Sequence, residues 1–300
     1  FFSRQGKALN RIHRVGNGPG EYKDIGSIDV NPANGELYLK EMNRQQIHVY
    51  SLDGKFKHSF TFPEGKRMSR MCLFSPDYLI AEQESKVPDD QDANFYPYLL
   101  VSTRDGHLDS LDYVQKRNIL VKLIVNAENH SYAYLLEPSL IRNGSRFYIG
   151  NPDSDTLFAM NPDRTLEPLL VRIPSHSEEG NKYGLFLRGA AGAYFFLTKQ
   201  PMEVPMNSIE SLDLKSEEWL YDCRTQEVCR YLLKNKDDAS KRVEGIMFFC
   251  YPEDCGLAVL KSEDLMDAYE AGQLSGELKE IAAGLKADDN PVLMLIHFKK

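Results

Sequence analysis

The chain has 300 residues, a formal net charge of −8 at pH 7, 42% hydrophobic and 27% charged residues. That balance excludes bulk disorder. The longest basic cluster is the modest stretch at 234–236, which excludes the concentrated cationic face that nucleic acid requires. No apolar run approaches the ~20 residues needed to cross a bilayer, so no transmembrane segment is expected. Sixteen Tyr and 15 Phe against a single Trp favour pleated, half-buried strands.

In chain order, the sequence opens on Phe1-Phe2-Ser3 with neither Met nor a leader pattern, and reads as a chain entered within a strand. Residues 1–2, the Gln5-Gly6 turn and residues 8–13 look like the tail of a hairpin unit. A glycine-rich loop, Val15-Gly16-Asn17-Gly18-Pro19-Gly20-Glu21-Tyr22, follows. Residues 25–62 then give the clearest repeat: strands at 26–30, 36–39, 46–50 and 56–62, with turns at Asn31-Pro32-Ala33-Asn34-Gly35 and Asp53-Gly54. Asp-Gly between alternating apolar runs is a strong hairpin signal.

The pattern returns at 71–74, 78–81, 96–103 and 108–113, with Asp105-Gly106 as its turn, and again at 139–142, 146–150, 156–160 and 166–173. A fourth unit uses 185–188, 193–198, 219–221 and 228–232; a fifth uses 246–250, 257–260 and 292–298. Four strands recurring every ~40 to 50 residues is the arithmetic of a β-propeller. Five visible units plus the N-terminal tail predict six four-stranded antiparallel blades in one domain over 1–300, with the first blade incomplete. Residues 262–284 break the rule and read as a helical insertion in the last blade: Ser262 as cap, Glu263 and Asp264 in the first turn, Leu265, Met266 and Tyr269 on one face, and Gly272 as the stop. The insertion is expected to cover a sheet edge.

The glycine-rich loop and the C-terminal Asp288-Asp289-Asn290-Pro291-Val292-Leu293 together resemble the GPGEY and DNPVL elements of a bacterial six-bladed β-propeller family related in shape to NHL-repeat propellers. The resemblance spans nearly the whole chain. It implies a secreted protein or a lipoprotein, extracytoplasmic in the periplasm or at the cell surface, with a signal upstream of Phe1 and, in the lipoprotein case, a lipid anchor there. It implies no reaction.

Read physically, the loop glycines permit tight backbone approach and Pro19 stiffens the bend, a structural role. The alternative is a ligand-binding role for Arg14, Asn17, Glu21 and Tyr22. Of the five cysteines, Cys223 and Cys229 flank one turn and Cys250 and Cys255 another, so each pair is a candidate disulfide in an oxidising compartment, against the plainer reading of buried thiols. None sits in a CxxC motif, and no His pair lies near at zinc spacing, so no metal site is expected. Residues 151–162 open like a calcium loop but place Thr156 and Pro162 where Gly and Glu are needed.

No catalytic motif is legible, and no cofactor is expected. The preferred reading is an extracytoplasmic binding or scaffold propeller with a peptide, glycan or protein partner. The alternative is a secreted hydrolase or lyase acting on a glycan or peptide, with its site at the mouth of a central channel.

Overall fold

The computed structural model describes every residue except 2, 4–6, 64–65, 85–95, 112–119, 127–130, 137–139, 151–153, 174, 176–182, 206–215, 239–242, 244, 249–253 and 300, and describes 120–126, 131–136 and 205 by backbone alone. The described residues gather into two compact units, 1–118 and 119–300.

In the first unit, β1 (Ser27–Asn31), β2 (Glu36–Glu41), β3 (Gln46–Ser51) and β4 (Phe56–Thr61) pair in sequence as one antiparallel sheet. The Asn31 side-chain oxygen accepts from the Ala33 and Asn34 N–H groups at 3.2 and 3.4 Å and shapes the first turn. A second sheet, β5 (Met68–Ser75), β6 (Tyr78–Gln83), β7 (Tyr98–Ser102) and β8 (Leu108–Ser110), repeats the order. The alternation of strand side chains puts Tyr38, Ile47 and Val49 of the first sheet into one buried cluster with Met71, Leu73, Leu79, Ala81, Leu99 and Val101 of the second. Burying each large apolar side chain contributes about 1.5–3 kcal/mol. Polar links fix the approach: Leu73 N–H donates to the Asp29 carboxylate at 2.5 Å, and the Asn31 amide to the Pro76 carbonyl at 3.0 Å. Gly106 turns the β7–β8 hairpin at φ +75°, and a Cβ there would lie 2.5 Å from Phe60 Cδ2, so only glycine lets the turn meet the neighbouring sheet.

In the second unit, β9 (Leu120–Asn126) and β10 (Ser131–Leu136) form a hairpin. Next come β11 (Leu140–Asn143), β12 (Arg146–Ile149), β13 (Thr156–Met160) and β14 (Leu166–Val171), one four-stranded antiparallel sheet. β15 (Tyr183–Ala191) and β16 (Tyr194–Pro201) are followed by the short β17 (Glu203–Pro205), which leaves to pair parallel with β9. β18 (Glu217–Asp222) and β19 (Glu227–Arg230) complete the sheet that β15 and β16 began. Tyr148 meets Phe195 edge-on at 4.9 Å in a core shared by the two four-stranded sheets. The last sheet holds β20 (Met247–Phe248), β21 (Cys255–Leu260) and β22 (Val292–His297). Phe196 lies 4.5 Å from Phe248 and 5.0 Å from Phe298 and joins this sheet to its neighbour.

The architecture is all-β, of propeller type, with four-stranded antiparallel blades and few helices. Among the described residues the blade count is five, not the expected six. Four sheets are complete blades and β20–β21–β22 is the fifth; the remaining sheet, β10–β9–β17, contains a parallel pair and is not a hairpin-built blade. Among the described residues the N-terminal tail does not supply a sixth blade. It makes hairpin-like bonds, Ser3 N–H to Lys7 and Leu9 N–H to Phe1, but contains no strand among the described residues, and Asn10 ties it to the β3–β4 turn through the Leu52 carbonyl.

Between β21 and β22 lie α1 (Ser262–Glu270) and α2 (Gly276–Ala282). They close the open end of that hairpin rather than covering a sheet edge. Leu265, Ala268, Leu274, Leu278 and Ala282 form their own small core, with Leu260 and Val292 packed against it. Ser275 N–H donates to the Asp237 carbonyl at 2.8 Å. Ser262 is not the cap either. The first residue before α1 is Lys261, and the Ser262 hydroxyl reaches the Asp289 and Asn290 carbonyls, at 3.1 and 2.8 Å. The hydroxyl thus pins the Asp288-to-Leu293 segment. Ser262→Ala should lower unfolding stability by about 1–2 kcal/mol and speed amide exchange at 289–292, read by denaturant melts and hydrogen exchange. Unchanged exchange there would remove the pinning role.

Candidate functional site

The glycine-rich loop folds around its own acidic residue. Gly18 N–H donates to Glu21 Oε2 at 2.8 Å, and a Cβ on Gly16 would lie 2.1 Å from the same oxygen. Tyr22 N–H donates to the Arg14 carbonyl at 2.9 Å, Gly16 N–H to the Tyr22 carbonyl at 3.2 Å, and the Asn17 side-chain oxygen accepts from Arg44. Gly20 adopts φ +70°, where a Cβ would sit 2.4 Å from Phe56 Cγ, and its carbonyl accepts from the Tyr50 hydroxyl at 2.7 Å. Burial, and beside it the Tyr22 hydroxyl, push Tyr50 up to about 12. Tyr22 itself is buried with Leu37, Leu39 and Tyr50. The structure therefore brings Arg14, Asn17, Glu21 and Tyr22 into one loop. The Glu21 carboxylate and the Asn17 oxygen hold that loop together; the Arg14 side chain is exposed.

Behind the loop, the end of β2 carries two buried charges that sequence reading did not single out. Glu41 accepts from Lys23 N–H at 2.9 Å, faces His48 Nε2 at 3.3 Å and pairs with Arg44 Nε at 3.6 Å. Lys40 is fully buried and its Nζ has no hydrogen-bond partner among the described residues. Burial lowers its pKa, and the Glu84 and Asp24 carboxylates offset that only in part. Alternation along a strand puts these neighbours on opposite faces, so Glu41 serves the loop side and Lys40 the other.

Of the four cysteines in the candidate pairs, Cys223, Cys229 and Cys255 are described. Cys223 and Cys229 are free and exposed. The register of β18 with β19 sets Cys229 opposite Leu220, three residues (about 10 Å) before Cys223, beyond the reach of a disulfide; the expected clamp does not form. Cys250 lies outside the described residues. Cys255 is free and buried. It stands directly opposite His297 in the β21–β22 ladder, with Sγ 3.0 Å from Nδ1 and 3.7 Å from Asp254 Oδ1. The ligand atoms of Asp254, Cys255 and His297 lie within 4.8 Å of one another. Sequence reading missed this trio because it weighed spacing along the chain, and the helical insertion hides the pairing of residues 42 apart. The usable signal was that β21 and β22 flank an insertion within one hairpin.

The same hairpin presents an exposed apolar face. Val259 stands opposite Leu293 in the ladder, and Val259, Leu293 and Leu295 are 44%, 62% and 61% exposed. Among the described residues no strand pairs with the outer edge of β22.

A family model described as a domain of unknown function, DUF4934, matches residues 1–297. The chain belongs to the DUF4934 family. A crystal structure of a candidate exported protein from Bacteroides fragilis NCTC 9343 is similar over 100% of this chain and 84% of its own, with 16% identity and a TM-score of 0.65. A member of the DUF4221 family from Bacteroides vulgatus ATCC 8482 is similar over 98% of this chain and 84% of its own, with 8% identity and a TM-score of 0.52. At these identities the likeness is one of fold. No curated protein matches the chain. No helix among the described residues is long and apolar enough to cross a membrane.

The buried Lys40 gives a pH signature. Its folded pKa lies below the unfolded one, so folding releases a proton between the two values, and stability rises with pH through that window. The denaturation midpoint of the wild type should climb as pH approaches the ordinary lysine value of 10.5. Lys40→Met should flatten that climb and raise stability at pH 7 by about 1 kcal/mol or more. A lower midpoint for the variant at pH 7 would mean that the ammonium holds a partner. Gly20→Ala should cost about 1–3 kcal/mol, measured in the same melts.

Proposed function

We propose that this chain is an extracytoplasmic binding or scaffold protein, working in the periplasm or at the cell surface, whose partner is a peptide or protein segment that adds a strand beside β22. The reading is supported above all by the exposed apolar ladder of Val259, Leu293 and Leu295, on a blade with three strands among the described residues where the other blades have four. An open strand edge offers backbone donors and acceptors to an incoming strand, and alternate side-chain positions beside it supply selectivity. Contiguous exposed aliphatic surface suits a peptide better than a glycan, whose hydroxyls would go unmatched. The similar Bacteroides fragilis structure, described as a candidate exported protein, fits that location. The hydrolase or lyase alternative is not favoured: Glu41, a fully buried carboxylate, is committed to Lys23, Arg44 and His48 and closed to solvent.

The test places a photo-crosslinking residue at Leu295 in one strain and at Ile173, which is 89% exposed, in another. Irradiation of whole cells should give a discrete adduct in the envelope fraction from position 295 and none from 173. Equal, diffuse labelling from both positions, or a protein that fractionates with the cytosol, would overturn the reading.

A further inference from the structure

We propose that Asp254, Cys255 and His297 form a binding site for a soft divalent cation of the zinc class at the end of the last blade. The site does not depend on the partner strand proposed for β22. Its two strongest donors come from adjacent strands held by six consecutive cross-strand pairs, from Cys255 opposite His297 to Leu260 opposite Val292. Phe298 N–H donates to the Asp254 carbonyl at 2.8 Å and extends the pairing one step past the site. The donors are therefore placed by the ladder, not by a loop.

The distances suit a metal. Zinc bound at about 2.3 Å to sulfur and about 2.0–2.2 Å to nitrogen and oxygen holds neighbouring tetrahedral ligand atoms about 3.3–3.7 Å apart. Cys255 Sγ stands 3.0 Å from His297 Nδ1 and 3.7 Å from Asp254 Oδ1, so small side-chain rotations bring all three to one centre. A thiolate, a carboxylate and a neutral imidazole carry two negative charges, which a divalent ion neutralises. Thiolate and imidazole donors select zinc-like ions over calcium or magnesium. Cys255 is buried while His297 is exposed, so a fourth position opens on the histidine side for water or another donor.

Two other uses of the trio fit less well. A Cys–His nucleophile needs a third group behind the imidazole to orient it and a thiol biased towards thiolate. Here Asp254 lies against the sulfur instead, and burial followed by the Asp254 charge pushes the Cys255 thiol up. A cation reverses that unfavourable balance: it takes up both negative charges, and the thiol proton leaves to solvent on binding. A disulfide from Cys255 would remove the thiolate and is a distinct outcome of the test.

The experiment titrates the metal-free, reduced full chain with cobalt(II) chloride. One equivalent should give sulfur-to-cobalt charge-transfer absorption together with the visible bands of a four-coordinate site, and zinc chloride should displace it. Cys255→Ser should abolish the charge-transfer band. His297→Ala should weaken binding more than about tenfold, and the Cys223→Ser/Cys229→Ser double variant should leave the spectrum unchanged. Should Cys255→Ser fail to fold, alkylation of the wild type mapped by mass spectrometry gives a second reading: zinc should protect Cys255 but not Cys223. A band that survives Cys255→Ser, no binding by folded protein in excess cobalt, or a Cys255 isolated from the envelope as a disulfide would each overturn the site.

Discussion

The face-to-face burial of neighbouring blades is the constraint on which the other features rest. A four-stranded antiparallel sheet of short strands is marginal by itself, because both faces carry apolar side chains and only one neighbour at a time can cover each. In residues 1–118 the Tyr38–Ile47–Val49 face meets Met71, Leu79 and Val101; in residues 119–300 the Tyr148–Leu157 face meets Leu187, Phe195 and Tyr221. Where side chains are this large, the turns at the blade margins must be small. Gly106 under Phe60 and Gly20 under Phe56 meet that demand.

The glycine-rich loop follows from the same constraint. Its carboxylate is satisfied by its own backbone, its tyrosine packs on the first blade, and its Gly20 carbonyl takes the hydroxyl of a buried Tyr50. A buried tyrosine needs such an acceptor, so the segment that resembles a family's GPGEY element packs as a seal over the first blade. Glu41, with His48 and Arg44 around it, closes the same seal from below.

The last blade departs from this economy of burial. It has three strands among the described residues, an exposed aliphatic face, a buried thiol opposite an exposed histidine, and two helices at its hairpin end. Departures from local consistency gather where a protein meets something else, and here the strand edge and the Asp254–Cys255–His297 trio lie on one hairpin. The fold shared with a candidate exported Bacteroides protein says nothing about ligands, and the last blade's departures are features of this chain's own residues.

Sequence alone determined the elements and their class. Alternating apolar residues, Asp53-Gly54 and Asp105-Gly106 marked hairpins whose strands lie close to their expected positions, because strand period and turn chemistry are local properties. Gly272 ended the first helix of the insertion for the same local reason. The blade count was not legible, because the hairpin-like bonds of residues 1–10 are local, whereas a blade also needs strand partners that no turn signal announces; the β9–β10–β17 sheet went unseen because its parallel pairing leaves no turn signal. Nor was the fate of the cysteines. One register decides that Cys229 faces Leu220 and another that Cys255 faces His297, and register is set by which faces are buried against neighbours. Lys40 and Glu41 look like surface charges at the end of a strand. Only the packing of a second blade and a folded loop around them turns them into buried groups, because desolvation is a property of everything that surrounds a charge and not of its place in the chain.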